Sequence, residues 1–396
     1  MLQGKKIRLL PTPEQEILFK KSVGVARWAY NYAITRDHET YEAYKEDPTK
    51  PKYISEGDIR KEITQLKKTE CPWLAEVGSN VAKQAVRDWN TAKLKCIKGL
   101  TKAPRYKSKT RTTPSFYVNY ESFRWKPKGF QGERLGVVKT AEPLPKIGKN
   151  QFYYNPRISY DGKYWYVSFT YDVPCTFDKS LTNEVIGIDL GVKTLMTCSN
   201  GETVDNINHS KRVKQLTKRL RRYQHHLSRQ LTANTTSFKV INGHRKPIWK
   251  RPINECRNIQ KSIQEIKLIH RSLANIRNNH IHQATTHIVK QLPKAIVIED
   301  LNVSGMMKNK HLAKEIQNCK FYTIRQQLEY KCARMGIELV VVDRFYASSK
   351  LCSGCGHKKQ QLKLSERTYQ CECCGTVLDR DFNAAKNLEA CYLQIA

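Results

Sequence analysis

Val185-Ile186-Gly187-Ile188-Asp189-Leu190-Gly191-Val192 is the stretch from which the whole chain is best read. Five of its eight residues are large and aliphatic, most of them β-branched, and it is too short for a globular helix, so it reads as a buried strand. Asp189 breaks the pattern, because a carboxylate there is costly to desolvate unless a cation or several donors meet it. Two readings follow: a strand-end acid turned to water or a backbone amide, or a metal ligand at a strand's end. Partner carboxylates elsewhere in the chain decide between them.

Composition narrows the partners. The 396 residues suffice for two or three cores, and 70 Lys and Arg against 36 Asp and Glu give a net charge of +34. Such an excess implies a polyanionic partner, nucleic acid first. A membrane surface is the weaker alternative, since no run approaches the ~18 apolar residues of a spanning helix. Met1-Leu2-Gln3-Gly4-Lys5-Lys6 lacks the apolar core of a signal peptide, so an intracellular, cytoplasmic and nucleoid-associated prokaryotic setting is expected. Eight of the 13 cysteines are scattered (Cys71, Cys96, Cys175, Cys198, Cys256, Cys319, Cys332 and Cys391) with no disulfide-like framework, and the other five fall between 352 and 374. Clustered cysteines in a reducing compartment point to metal.

Along the chain, residues 5–10 alternate in polarity and stop at Pro11-Thr12-Pro13, which predicts a short strand. Helical periodicity then sets in behind a Thr12 cap and recurs through 55–67 and 78–98, making 12 to about 112 a helical module. Its end is basic, with Lys83, Arg87, Lys93, Lys95, Lys102, Arg105 and Lys107 beside Trp89, Tyr106 and Phe116. Cations there would hold phosphates while rings stack on bases; the alternative is a solvated helix face with core aromatics. Between 115 and 175, β-rich runs parted by Gly and Pro turns suggest a small barrel or curled sheet, completed by the strand at 5–10. After Asp189 an Asn200-Gly201 turn marks a hairpin. Apolar residues at spacings of three and four then predict two long helices packed as a hairpin. No acid lies between Asp205 and Glu255 while 13 Lys or Arg do, among them Lys211, Arg212, Lys218, Arg219, Arg221 and Arg222, so this stretch is expected on a nucleic-acid backbone.

Two further apolar strands end in acid: Ala295-Ile296-Val297-Ile298-Glu299-Asp300, and Ile337 to Val342 followed by Asp343, with one amphipathic helix between them marked by Ile316, Cys319, Ile324, Leu328 and Cys332. The order strand, hairpin, helices, strand, helix, strand matches a mixed RNase H-like sheet. Nuclease chemistry on such a sheet needs about three carboxylates around two Mg²⁺ ions some 3.5–4 Å apart, one activating water and the other stabilising the departing 3′ oxygen. The third acid comes from Asp379-Arg380-Asp381-Phe382-Asn383-Ala384-Ala385, where Asp381 opens a helix; an N-cap role is its alternative, and Asp379 is the competing ligand. Cys352-Ser353-Gly354-Cys355 and Cys371-Glu372-Cys373-Cys374 are two matched knuckles, so Cys352, Cys355, Cys371 and Cys374 predict one structural Zn²⁺ with Cys373 left over.

Taken together, Gly187-Ile188-Asp189-Leu190-Gly191, Ile298-Glu299-Asp300-Leu301, Asp343-Arg344-Phe345-Tyr346-Ala347-Ser348-Ser349-Lys350, the cysteine ribbon and Asp379-Arg380-Asp381-x-Asn383-Ala384-Ala385 resemble TnpB, the transposon-encoded RNA-guided nuclease related to type V CRISPR effectors. The close match covers about 183–390, with Ala347 standing where Pro is usual. The resemblance implies a multidomain α/β protein: a RuvC nuclease domain with a four-Cys zinc-ribbon insertion, preceded by a wedge-type β-barrel that carries an inserted helical recognition module. On this chain the segments are 1–11 (first barrel strand), 12–114 (recognition), 115–182 (barrel), 183–345 (nuclease, with a helical hairpin at 208–292), 346–377 (zinc ribbon) and 378–396 (last nuclease segment). It implies Asp189, Glu299 and Asp381 as the RuvC carboxylates binding Mg²⁺. The implied partners are a transposon-end guide RNA and double-stranded target DNA read beside a short adjacent motif, bound by a monomer in a ribonucleoprotein. A CRISPR-associated relative with an array-derived guide and a nuclease-inactive RNA-guided repressor are the alternatives.

Overall fold

Alternation builds the first strand: in β1 (Leu2–Leu10) Ile7 and Leu9 are buried while Lys6 and Arg8 lie outward over the Tyr166 and Tyr164 rings. A computed structural model describes residues 2–148, 151–173, 180–241, 243–362 and 366–395, so Cys175 falls outside the described residues. The chain divides into two compact units, 1–174 and 175–396.

In the first unit Pro11 ends β1, and Thr12 caps α1 (Pro13–Glu46) through a reciprocal capping box with Gln15. Helices α2 (Glu56–Leu66) and α3 (Ser79–Ile97) follow. Then come β2 (Ser115–Tyr117), β3 (Arg124–Lys126), β4 (Gly129–Gly132), β5 (Gly136–Thr140), β6 (Tyr154–Tyr160) and β7 (Trp165–Asp172). They form one antiparallel sheet ordered β2-β6-β7-β1-β5-β4-β3, in which β1 pairs with β7 through Arg8 and passes to β5 at Leu9. A single apolar cluster joins helices to sheet: Phe19 of α1 meets Phe116 and Trp165, and Trp89 of α3 lies in the same cluster. Asp88 of α3 accepts two bonds from the Arg157 guanidinium of β6, at 2.9 and 2.7 Å, a fork geometry that fixes this helix on the sheet.

The second unit is built on β8 (Val185–Asp189), β9 (Thr194–Cys198) and β10 (Thr203–Asp205), then β13 (Ala295–Glu299) and β14 (Glu338–Val342), ordered β10-β9-β8-β13-β14. Between the two groups stand α4 (Lys211–Ala233), β11 (Thr235–Ile241), β12 (His244–Trp249) and α5 (Arg257–Lys290). β8, β13 and β14 run parallel, and β9 and β10 antiparallel. The three parallel strands read as continuous apolar runs because helices cover them. α4 and α5 zip through Val213, Leu216, Leu220, Ile269, Leu273 and Ile276. Two expectations need correction. The chain between α4 and α5 is not a plain helix connection but the two-stranded ribbon β11–β12. The single helix expected across Ile316 to Cys332 is two, α7 (Ala313–Cys319) and α8 (Phe321–Met335), after a short α6 (Val303–Met306), because Lys320 between α7 and α8 takes a left-handed conformation, φ 55°, and its ammonium reaches Asn278 at 2.6 Å. Last come β15 (Thr368–Gln370), β16 (Val377–Asp379) and α9 (Arg380–Ile395).

Gly187 explains how α9 reaches the sheet. A methyl group at this position would stand 2.1 Å from the Ala385 carbonyl oxygen and 2.6 Å from the Glu389 nitrogen. Only a residue without Cβ lets the helix backbone lie directly on β8.

Candidate active site and metal centre

Ile188 of β8 pairs with Ile298 of β13 in parallel register, so the next residues, Asp189 and Glu299, end neighbouring strands. The register and α9's close approach to β8 bring the first turn of that helix, with Asp381, to the same end of the sheet. Burial pushes the Asp189 carboxyl up to about 8, helped by the negative charges of Glu299, Asp381 and Asp379. Glu299 is raised too, by burial, while the Ser348 hydroxyl donates to it and partly offsets that rise. Asp381 contacts the guanidinium groups of Arg380 at 3.2 Å and Arg367 at 3.4 Å.

The neighbouring acids are spent elsewhere. Asp379 accepts from the backbone N–H of Asp381 (2.9 Å) and Phe382 (3.1 Å), making it, and not Asp381, the N-cap of α9. Asp300 is clamped between Arg344 and Arg325, which hold its carboxyl below the ordinary range. The donor set left over is all oxygen and under mutual repulsion, and it suits a hard divalent cation. Buried Asn387 donates to the carbonyls of Ser348 (2.6 Å) and Leu351 (2.8 Å), and buried Asn383 to Leu351 (2.7 Å), tying α9 to the loop that carries Ser348.

The Sγ atoms of Cys352, Cys355, Cys371 and Cys374 all lie within 4.8 Å of one another. Among the described residues no other set of three or more His, Cys, Asp or Glu ligand atoms gathers so tightly, the three acids included. Cys352 and Cys374, like Cys355 and Cys371, are 3.6 Å apart, close to the edge of about 3.8 Å that a tetrahedron with ~2.3 Å Zn–S bonds requires. The N–H groups of Cys373 and Cys374 point at the Cys371 sulfur, and the Thr376 hydroxyl holds the Cys374 thiol down to about 6. These features favour thiolates at Cys371 and Cys374, whereas Cys355, despite the His357 backbone, is pushed up to about 12 by its hydrogen bonds with Cys374, Cys371 and Cys352; the spacing of the four sulfurs fits a closed structural zinc site. Cys373 is exposed and outside the cage.

The basic residues singled out from sequence divide. Lys83, Arg87, Lys95, Lys102, Arg105, Lys211, Arg212, Lys218, Arg219, Arg221 and Arg222 are exposed. Lys93 is bound to Asp37 at 2.5 Å, and the Lys107 ammonium sits 3.6 Å over the Tyr30 ring. Of the three aromatics expected to stack on bases, Trp89 and Phe116 are core residues, because the apolar faces of α3 and β2 turn inward; Tyr106 alone is exposed. Ser348, Arg367, Asn383 and Asn387 were not singled out. The signal available was that Ser348 lies inside the Asp343–Lys350 motif and Asn383 inside the Asp379–Ala385 motif, with Asn387 two residues past its end. No described helix is long and apolar enough to cross a membrane.

Fold and site together define a mixed α/β protein with acids at the ends of two neighbouring parallel strands and a four-thiol cluster fit for a metal. Family models match at 1–46 ("Helix-turn-helix domain"), 168–310 ("Probable transposase") and 321–388 ("Cas12f1-like, TNB domain"). In this chain 1–46 is a strand and one long helix. A Streptomyces pristinaespiralis "Putative RNA-guided DNA endonuclease" is 32% identical over 393 residues, spanning 97% of this chain and 88% of the relative. An Escherichia coli K12 protein of like description, InsQ, is 27% identical, spanning 98% and 92%. A solved Cas12f1–sgRNA–target DNA complex aligns with TM-score 0.54 and 13% identity over 98% of both chains, a likeness of fold. The chain belongs to the TnpB-like family of RNA-guided DNA endonucleases.

Proposed function

We propose that this chain is a transposon-encoded, RNA-guided endonuclease that hydrolyses guide-paired DNA beside a short adjacent motif, with Asp189, Glu299 and Asp381 as its catalytic carboxylates. What supports this reading is that Asp189 and Glu299 end neighbouring parallel strands, with Asp381 near enough to add its charge to the Asp189 carboxyl, in a chain of net charge +34. The descriptions of the relatives as RNA-guided DNA endonucleases support the substrate class. The strand order of the second unit, β10-β9-β8-β13-β14, is read as that of an RNase H-like, RuvC-type sheet, and 346–377 as its zinc ribbon. The sheet of the first unit is read as the wedge barrel and α1–α3 as the recognition module. One monomer would hold the RNA.

Asp189, Glu299 and Asp381 would hold two divalent cations, Mg²⁺ in this reading, which would lend Lewis-acid charge to the attacking water and the leaving oxygen. The protein's own residues do the rest. Asp189 and Glu299 present oxygens from rigid strand ends. Ser348 orients Glu299, Arg380 and Arg367 steady Asp381, and Asn383 and Asn387 lock helix to loop. Exposed cations on α3 and α4 take the backbone phosphates. An array-derived guide would serve the same chemistry, whereas a repressor reading needs a missing acid.

The test uses the full chain purified with RNA transcribed from its own locus. The wild type is expected to cut guide-complementary DNA with Mg²⁺, and Asp189→Ala to lose cutting while keeping RNA-dependent DNA binding. Cutting by purified Asp189→Ala overturns the site. Copurification of random cellular RNA overturns the guide.

A further inference from the structure

Phe345 is the most exposed large apolar side chain among the described residues, 87% open to solvent. Single exposed apolar side chains are ordinary, so what matters is where this one stands and how it is held. Its backbone is fixed: the Asp343 carboxylate accepts the Phe345 N–H at 2.8 Å, and the Asp343 carbonyl accepts the Tyr346 N–H at 3.0 Å. Both neighbours are tied to the body of the unit. The Arg344 guanidinium donates to Asp300, and the Tyr346 hydroxyl donates to the Asn387 carbonyl of α9 at 3.0 Å. A ring between two anchored residues is thus presented to solvent, at a cost in apolar exposure that a covering ligand would remove.

The place is the end of the sheet that carries the acids. Val342, the last residue of β14, lies opposite Glu299 in parallel register, and the Ser348 hydroxyl donates to the Glu299 carboxylate. The loop therefore leaves beside Glu299 and returns to it, with Phe345 midway between Val342 and Ser348. At no more than ~3.6 Å per residue, the Phe345 Cα stands within about 11 Å of the Cα atoms of both. A nucleic-acid strand rises about 3.4 Å per nucleotide. A strand with its scissile phosphodiester at the acids therefore brings bases within about three nucleotides of the cut to this ring.

The loop's chemistry selects the base as the handle. Between Asp343 and Ser349 the sequence has one cation, Arg344, and it is bound to Asp300. The loop meets a strand through an uncharged ring, which grips a base by its face and leaves the charge on the acids unchanged. Every unpaired base offers such a face, so the grip needs no particular sequence. We propose that Phe345 stacks on an unpaired base of the DNA strand being cut, within about three nucleotides of the scissile phosphodiester, and holds that strand in place over Asp189 and Glu299. This deepens the proposed function and rests on its placing of DNA cutting at those acids.

The experiment takes the full chain with RNA transcribed from its own locus and a guide-matched DNA carrying 5-iodouracil one to three nucleotides from each mapped cut. The complex is irradiated and its adducts are mapped by mass spectrometry. An adduct at Phe345 is expected, and Asp189→Ala, which should lose cutting, should keep it. In cutting assays Phe345→Leu should lower kcat/KM for the DNA by about 5- to 150-fold, the worth of one base stack, at unchanged RNA binding and melting temperature, with Phe345→Trp restoring the rate. Three outcomes overturn the inference and leave the cutting site standing: adducts that avoid residue 345 while the wild type cuts, wild-type kcat/KM in Phe345→Leu, or an adduct at Phe345 formed from iodouracil in the RNA and not in the DNA. Cutting by purified Asp189→Ala that still gives the Phe345 adduct overturns the acids and leaves the stack, so the two readings fail separately.

Discussion

At the residue scale, two acids two positions apart have been given different work. Asp379 caps α9 with its side chain, and Asp381 contacts two arginines and adds its charge to the Asp189 carboxyl. Asp379→Ala is expected to cost about 1 kcal/mol of stability, the usual worth of a lost cap, and to leave measurable cutting. Asp381→Asn should keep the melting temperature and lose cutting. If Asp379→Ala is the variant that stops cutting at unchanged stability, the two roles are exchanged. The strand-end positions of Asp189 and Glu299 were legible in the sequence because each acid closes an apolar run. Ser348, Arg367, Asn383 and Asn387 were not, since each acts on a partner 14 to 49 positions away, and such pairing leaves no periodic trace.

At the scale of elements, α5 and α8 share a buried cation. The Lys331 ammonium donates to the His282 carbonyl and to the Thr285 and Thr286 hydroxyls at 2.6–2.9 Å, with no acid among these partners. Burial pulls it down to about 8 from an ordinary 10.5. The charged form is therefore disfavoured in the fold: the penalty is full below about pH 8 and fades as pH rises toward 10.5, where the unfolded chain also sheds its proton. Chemical denaturation should show the stability contribution of this unit rising across that window, and Lys331→Met should flatten the rise. An unchanged pH profile in the variant would remove this account. Parallel strands β8, β13 and β14 were readable as apolar runs, as were the periodic helices. The ribbon was missed although Asn242-Gly243 between β-prone runs is a strong hairpin signal, because the helical periodicity on both sides dominated the window. The break at Lys320 was missed because the apolar spacing runs straight through it.

At the scale of the whole molecule, two units carry separate apolar clusters, and only the second holds the four thiols. Calorimetry of the full chain should resolve two transitions, with a zinc chelator lowering one and leaving the other in place. A single transition, or one in which both move together, would join the units into one cooperative body. β16 ends at Asp379 and α9 begins at Arg380, so the thiol module and the third acid are covalently consecutive, and the transition that moves should be the one that carries nuclease activity.

The crowded acids at the sheet's end bear on how such genes age. Burial first, and the like charges beside it second, push the Asp189 carboxyl up to about 8, so near neutral pH the cation-free fold bears the cost of keeping neutral a carboxyl that ionises freely in the unfolded chain. Asp189→Asn should therefore melt higher than wild type in cation-free buffer. A copy freed from selection for DNA cutting would then drift downhill, gaining robustness with the first acid it discards, while its grip on RNA survives as raw material for other uses.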